Sequence, residues 1–184
     1  TDDFRLALAV LLHDVGKPVT AAVIGDRLRF YRHAPEGAAI AGAILRRLRC
    51  SNDLVESVTH AVRSHMQFGD VRKMRRSTLR RLVGHPLFPL ELELHRLDCI
   101  ASHGDLDLYD FLRAFRAEMA EEPVLPAPWI DGRDVMALGV PQGRLVGLWL
   151  KRAYDLQLEG SEPGRDRLLE RLKAELRSGP PPAS

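Results

Sequence analysis

Apolar residues recur at helical spacing along most of this chain, and clusters of glycine, proline and small polar residues divide them into segments. Phe4 to Val15, with the apolar run Leu6 to Leu12 at its centre, predicts a first helix that gives way at Gly16 and Pro18. From Ala22 to Phe30 the pattern alternates around Gly25-Asp26, which predicts a short β-hairpin. Glu36 to Leu48 returns to helical spacing, and its Ala38, Ala39, Ala41, Gly42 and Ala43 would let a neighbouring helix approach closely. Ser51-Asn52-Asp53 offers an N-cap for a helix from Leu54 to about His65. Helices over Thr78–Val83 and Leu90–Ala101 follow, separated by Gly84-His85-Pro86 and Pro89.

The stretch Glu121 to Pro128 carries three prolines and cannot continue a helix, so it predicts a linker. Trp129 to Leu150 predicts a helix, a tight turn at Gly139 to Gly143 and a second helix. Gly164 to Leu176 predicts a last one, ahead of a Ser-Gly-Pro-Pro-Pro tail expected to be disordered. The expected architecture is all-α: five or six helices around one core with a small hairpin after the first helix, then a short C-terminal helical subdomain. The corresponding boundaries are 1–120 for the first domain, 121–128 for the linker, 129–177 for the second domain and 178–184 for the tail.

Composition narrows the class. At 184 residues, with 45% hydrophobic and 28% charged residues, the chain suits one ordinary core or one domain with a helical appendage. The formal net charge of +2 is too small to imply a polyanion partner by itself, although arginine, the better fork for phosphate, dominates the basic residues. Cys50 and Cys99 are its two cysteines, which leaves no disulfide framework and no CxxC zinc site. The run Leu6 to Leu12 is far short of the roughly 20 residues a bilayer needs, so the expectation is a soluble, cytoplasmic protein with no membrane contact.

The strongest chemical signal is His13-Asp14, at the end of the first apolar run and just before Gly16, Lys17 and Pro18. Adjacent helical residues point about 100° apart, so both side chains face one cavity when a metal lies between their directions. A nitrogen and oxygen pair of this kind suits Mn, Fe, Co, Ni, Zn or Mg. Lys17, at i+3 from Asp14 and i+4 from His13, would set a cation beside a substrate phosphate.

These residues resemble the HD-domain superfamily of metal-dependent phosphohydrolases, whose HDxGK signature is matched by His13, Asp14, Gly16 and Lys17. The resemblance implies a helical HD-domain bundle in which the doublet shares a divalent metal (Mg, Mn, Ni, Co or Fe) with an earlier His and a later Asp. Asp98 is the best match for the latter. It lies among Leu92, Leu94, Leu97, Ile100 and Ala101, where burial of an unpaired carboxylate would be expensive without a cation. Residues 1–12 contain no His, so the remaining position falls to water, to another residue, or to a segment that preceded a chain cut inside the domain. His33 and His65 match subfamilies that carry a second metal or a phosphate-binding His; His33 also suits a helix N-terminus ahead of Pro35. His60 points to a different face from His65 and is expected to be structural or exposed. His85 and His95 read as loop and helix-surface residues, and His103 as lying near the Asp98 end of its helix.

Over nearly its whole length the chain also resembles the C-terminal HD and tail region of bacterial CCA-adding tRNA nucleotidyltransferases and their poly(A) polymerase relatives. The residues that carry this are Phe30 to His33, Val62 to Met66, His95 to Asp105, Pro128 to Gly143, Gly147 and Gln157 to Gly160. That family's nucleotidyltransferase head uses a Gly-Ser pair and a DxD motif. Asp105-Leu106-Asp107 is the nearest string here and no Gly-Ser precedes it on a strand, so nucleotide addition is not expected of this chain, whether it is an excised portion or a separate protein. The implied chemistry is metal-dependent hydrolysis of phosphoesters such as 2′,3′-cyclic nucleotides or nucleotide 2′-phosphates, with Asp14 and Lys17 catalytic and His13, Asp14, Asp98, His33 and His65 at the metal. The alternative is a non-catalytic body that binds tRNA or other RNA. Its candidate phosphate contacts are Arg72, Lys73, Arg75, Arg76, Arg80 and Arg81, together with the glycine turn between Gly139 and Gly147.

Overall fold

A computed structural model of the chain describes residues 3–119 and 123–179. Among these, helices and one two-stranded hairpin make up the regular structure, as the all-α reading expects. The chain divides into two compact units: residues up to Lys73 with His85 to Ala117, and Met74 to Gly84 with the residues after Ala117.

In the first unit, α1 (Phe4–Leu12) is capped by Asp3, whose side chain accepts from the backbone N–H groups of Arg5 and Leu6. Leu6, Ala9 and Leu12 face the core at helical spacing. The helix stops at Leu12 and does not run to Val15 as the apolar pattern suggests. His13 to Gly16 tighten into a turn, with Val15 N–H donating to the Leu12 carbonyl at 3.1 Å and Lys17 N–H to that of Asp14 at 2.9 Å, before the short α2 (Lys17–Thr20) with Pro18 in its first turn. The turn packs closely on the next long helix, and only glycine fits at its end: a Cβ at Gly16 would lie 2.2 Å from the His33 carbonyl oxygen and 2.6 Å from the Gly37 nitrogen.

The hairpin follows, β1 (Ala22–Ile24) against β2 (Arg27–Arg29), paired Ala22 with Arg29, Val23 with Leu28 and Ile24 with Arg27. Gly25 opens its turn at φ +61°, a conformation that favours glycine. In α3 (His33–Arg47) the small residues Ala34, Gly37, Ala38, Ala41 and Gly42 are buried, and α4 (Asn52–Ser64), capped by the Ser51 hydroxyl, packs along them with Val55, Val58, Ala61 and Val62. Leu90 and Leu94 from α6 (Phe88–Ser102) complete this core. Two segments were not anticipated: a 3₁₀ stretch over Gln67–Lys73 that buries Phe68 and Val71, and α7 (Asp107–Ala117), which buries Leu112 and Phe115.

The second unit has a core of its own. Helix α8 (Gly132–Ala137) begins with a reciprocal capping box between Asp131 and Asp134. It packs with α9 (Arg144–Glu159) and α10 (Arg165–Ser178) around Ile130, Val135, Val140, Trp149, Ala153, Leu156, Leu168 and Leu172. Helix α5 (Arg76–Val83) goes with this unit although it lies within residues 1–120. Ser77 donates through both N–H and hydroxyl to Glu159, and Arg81 pairs with Asp155 at 2.7 Å. The described part of the proline-rich stretch is held against these helices. Arg80 donates to the carbonyls of Pro123 and Val124, Tyr154 to that of Pro126 and Gln157 to that of Ala127. Residue 120, residues 121–122 of that stretch and residues 180–184 of the expected tail lie outside the described residues. Among the described residues no helix is long and apolar enough to cross a membrane.

Candidate metal centre

Four elements of the first unit meet at the turn after α1. The close approach of Gly16 to α3 sets His13 and Asp14 beside His33, the first residue of α3. Arg32 takes the left-handed φ of 63° just before it. His65 caps the C-terminus of α4, and Asp98 comes from α6, which packs on α1. All five residues singled out as metal ligands therefore come together.

Asp14 is the hub. Its Oδ2 lies 3.2 Å from His13 Nε2 and accepts from Lys17 Nζ at 2.5 Å, while its Oδ1 lies 3.5 Å from His33 Nε2 and 3.9 Å from His65 Nε2. Asp98 Oδ1 approaches His13 Nε2 to 3.6 Å. The histidines form the floor: their side chains are 17% (His13), 12% (His33) and 2% (His65) exposed, against 35% for Asp14, 39% for Asp98 and 41% for Lys17 at the rim.

The three imidazoles are oriented in the same way. Each Nδ1 lies against the carbonyl oxygen three residues earlier, His13 on Val10 at 2.8 Å, His33 on Phe30 at 2.8 Å and His65 on Val62 at 2.6 Å. A carbonyl only accepts, so Nδ1 carries the proton in each ring and the Nε2 lone pair is turned inward. Histidines that ligate metals are held in this way, one ring nitrogen donating to the protein and the other facing the ion. It also puts His33 Nε2 and His65 Nε2, two acceptors, 3.1 Å apart. Such a contact is favourable when a cation sits between the nitrogens and unfavourable when nothing does. Nitrogen and carboxylate donors in this number fit a divalent transition ion or Mg2+.

Electrostatics follow the geometry. Burial raises the affinity of Asp14 for a proton, but the hydrogen bond and charge of Lys17 outweigh it, with His13 and His65 beside the carboxyl acting in the same direction, and the carboxyl is held below its ordinary value. Burial pushes His65 down, opposed by its bond to Val62 and reinforced by His13 and His33. A neutral imidazole and an ionised carboxylate are the forms that ligate metals.

The other expected residues are placed as follows. Arg72 forks onto Asp107 at 2.7 and 3.0 Å and Lys73 pairs with Asp70 at 2.8 Å, both in the first unit; Arg75 and Arg76 are exposed in the second. Arg80 does not lie on an exposed basic face: it is buried, with its guanidinium spent on two backbone carbonyls. Arg81 pairs with Asp155 and lies over the Tyr154 ring. His95, expected on a helix surface, packs against the Phe68 ring and Cys99, and burial lowers its pKa. His60, placed as structural or exposed, pairs at 2.7 Å with Glu91, a residue the sequence did not single out. Its period of five from His65 was the available signal, and nothing in the pattern pointed to its partner on α6.

The family model for the HD domain matches residues 1–102, a span that includes all five converging residues. Two curated relatives are similar over most of the chain. A CC-adding tRNA nucleotidyltransferase of Thermus thermophilus is 38% identical over 159 residues, 83% of this chain and 36% of the relative. An A-adding tRNA nucleotidyltransferase of Deinococcus radiodurans is 35% identical over 170 residues, 86% of this chain and 38% of the relative. The chain thus spans little more than a third of the length of the curated relatives it matches. No solved structure matches it. With an HD model covering more than half its length and the signature doublet at the centre of a histidine and carboxylate cluster, the chain belongs to the HD domain family.

Proposed function

We propose that this chain is a metal-dependent phosphohydrolase acting on phosphoesters such as 2′,3′-cyclic nucleotides or nucleotide 2′-phosphates. The observation that carries the reading is the convergence of three Nε2 atoms on Asp14, with His33 and His65 Nε2 only 3.1 Å apart. His13, Asp14 and Asp98 would hold one divalent ion, and His33 and His65 would hold a second or bind phosphate. A bound ion would supply Lewis acidity to a phosphoryl oxygen and make an attacking water more acidic at neutral pH. Lys17, 41% exposed and tethered to Asp14, sits at the rim where its ammonium offsets phosphate charge. The half-exposed carboxylates keep that rim open, while the buried histidines fix the floor, so a phosphoester would enter from the Asp14 and Asp98 side.

The test is turnover of 2′,3′-cyclic AMP and p-nitrophenyl phosphate by the purified chain with Mg, Mn, Co, Ni or no metal. Activity should require an added ion and should fall by about a hundredfold or more in His13→Ala and Asp14→Ala, the loss of more than one catalytic interaction. A folded protein inactive with every ion would reject the reading.

A second reading has support of its own, because both relatives are named as tRNA nucleotidyltransferases. On this reading the chain is a body that binds tRNA or other RNA, with Arg72, Lys73, Arg75, Arg76 and Arg81 among its phosphate contacts. Arg72, Lys73 and Arg81 would have to exchange the carboxylates they now hold. Affinity for tRNA that falls steeply with salt, in a chain with no hydrolytic activity, is the outcome this reading expects.

A further inference from the structure

Glu91 is the most deeply buried carboxylate described in the first unit, 2% exposed on α6, and it is only half satisfied. Its Oε1 lies 2.7 Å from His60 Nε2, while its Oε2 is enclosed and has no hydrogen-bond partner. Beside this pair stands His85, the residue at which the chain re-enters the first unit after α5. Its ring stacks on that of His60 with centroids 4.5 Å apart and planes 9° from parallel. One donor atom from each of His60, His85 and Glu91 lies within 4.8 Å of the others.

We propose that His60, His85 and Glu91 form a second divalent-cation site, suited to Zn2+, separate from the cluster around Asp14. Two imidazole nitrogens and a carboxylate are donors that zinc accepts at about 2.0–2.2 Å, which spaces tetrahedral ligand atoms roughly 3.4 Å apart. The His60–Glu91 pair, at 2.7 Å, must open toward that spacing, and because the two rings stack 9° from parallel, one imidazole must turn so that both in-plane lone pairs meet at one ion. The orphaned Oε2 gives the carboxylate a reason to take a cation: an ion supplies the partner that the protein does not. Coordination through His85 Nδ1 replaces the 3.2 Å bond that this atom accepts from Leu87 N–H. Three protein ligands leave a fourth position to water. His60 and His65 are five residues apart, about 140° around the helix, so one helix serves two centres from two faces. The ion would clip the start of the α6 segment to α4 and fix the point of re-entry at His85.

The experiment uses the whole chain, stripped of metal, carrying Asp14→Asn and His33→Ala to disable the first cluster. Titrated with Zn2+ alone, it should hold one equivalent by elemental mass spectrometry and melt at a higher temperature with zinc than without. Adding His85→Ala should weaken zinc binding by about tenfold or more, and Glu91→Gln should do the same. Folding of each variant is followed by circular dichroism; His85 lies in a loop, so its loss keeps the fold even where Glu91→Gln does not. Zinc uptake unchanged by His85→Ala, or no uptake by the folded Asp14→Asn/His33→Ala chain, overturns the proposal. Either result leaves the hydrolase reading untouched, since that is tested by turnover and by His13 and Asp14.

Discussion

At the scale of single residues, Gly16 decides whether the doublet is presented at all. An added methyl there meets the His33 carbonyl and the Gly37 backbone nitrogen, neither of which can move without shifting α3. Gly16→Ala is therefore expected to destabilise the chain by about 1–3 kcal/mol in urea unfolding, in the range of overpacked sites, and to weaken metal binding at the Asp14 cluster because His33 moves with α3. Gly147 is the contrast. It lies in α9, and a methyl added there would meet no other atom within 4 Å, so Gly147→Ala should stabilise by about 0.5–1 kcal/mol, the backbone entropy that glycine gives up in a helix. The sequence marks both as glycines near motif residues. What separates them is the backbone of a neighbouring helix, which local pattern does not contain.

At the scale of elements, α9 and α10 are joined by a charge network. Arg152 grips Glu175 through two bonds of 2.9 and 2.8 Å, and Arg171 adds a third at 3.0 Å. The hydrogen bond from Arg152 leads the effects that hold the Glu175 carboxyl below its usual value; burial opposes it and Arg171 assists. A depressed carboxyl stabilises the fold above the ordinary glutamate range, and that contribution disappears as pH falls through the lowered native value. Glu175→Gln should thus cost roughly 1 kcal/mol near neutrality, with the gap in melting temperature to the parent chain closing in acid. Elements of this kind were legible where the signal is local. The hairpin around Gly25-Asp26, the Ser51 cap and the small-residue face of α3 all stand where the pattern put them. Helix α7 and the 3₁₀ stretch were not anticipated, and they bury few residues each, Leu112 and Phe115 in one and Phe68 and Val71 in the other. In the site, His13, Asp14, His33, His65 and Asp98 could be named from motif and resemblance. The partial burial of His95 could not, because Phe68, 27 positions away by number, supplies the ring that packs against it.

At the scale of the whole molecule, the chain leaves its first unit at Met74 and returns at His85, and the excursion α5 gets its partners from residues that follow it by dozens of positions. Ser77 reaches Glu159, Arg81 reaches Asp155 and Arg80 reaches Val124. No periodicity within Thr78 to Val83 announces such partners, which is why the linear division at residue 120 separates α5 from the helices it packs on. The two cores are distinct sets of side chains, and a lesion in one tests whether the chain behaves as the division implies. Leu79 is 6% exposed on the buried face of α5. Leu79→Ala should cost about 2–5 kcal/mol, the range for truncating a buried leucine. If α5 belongs energetically to the second unit, the loss will appear as faster amide hydrogen exchange in α5, α9 and α10, while α1, α3 and α4 keep their protection and the Asp14 cluster keeps its metal affinity. Uniform loss of protection through α1, α3 and α4 as well would mean that both cores unfold as one cooperative body, and the division would then describe contacts without describing stability.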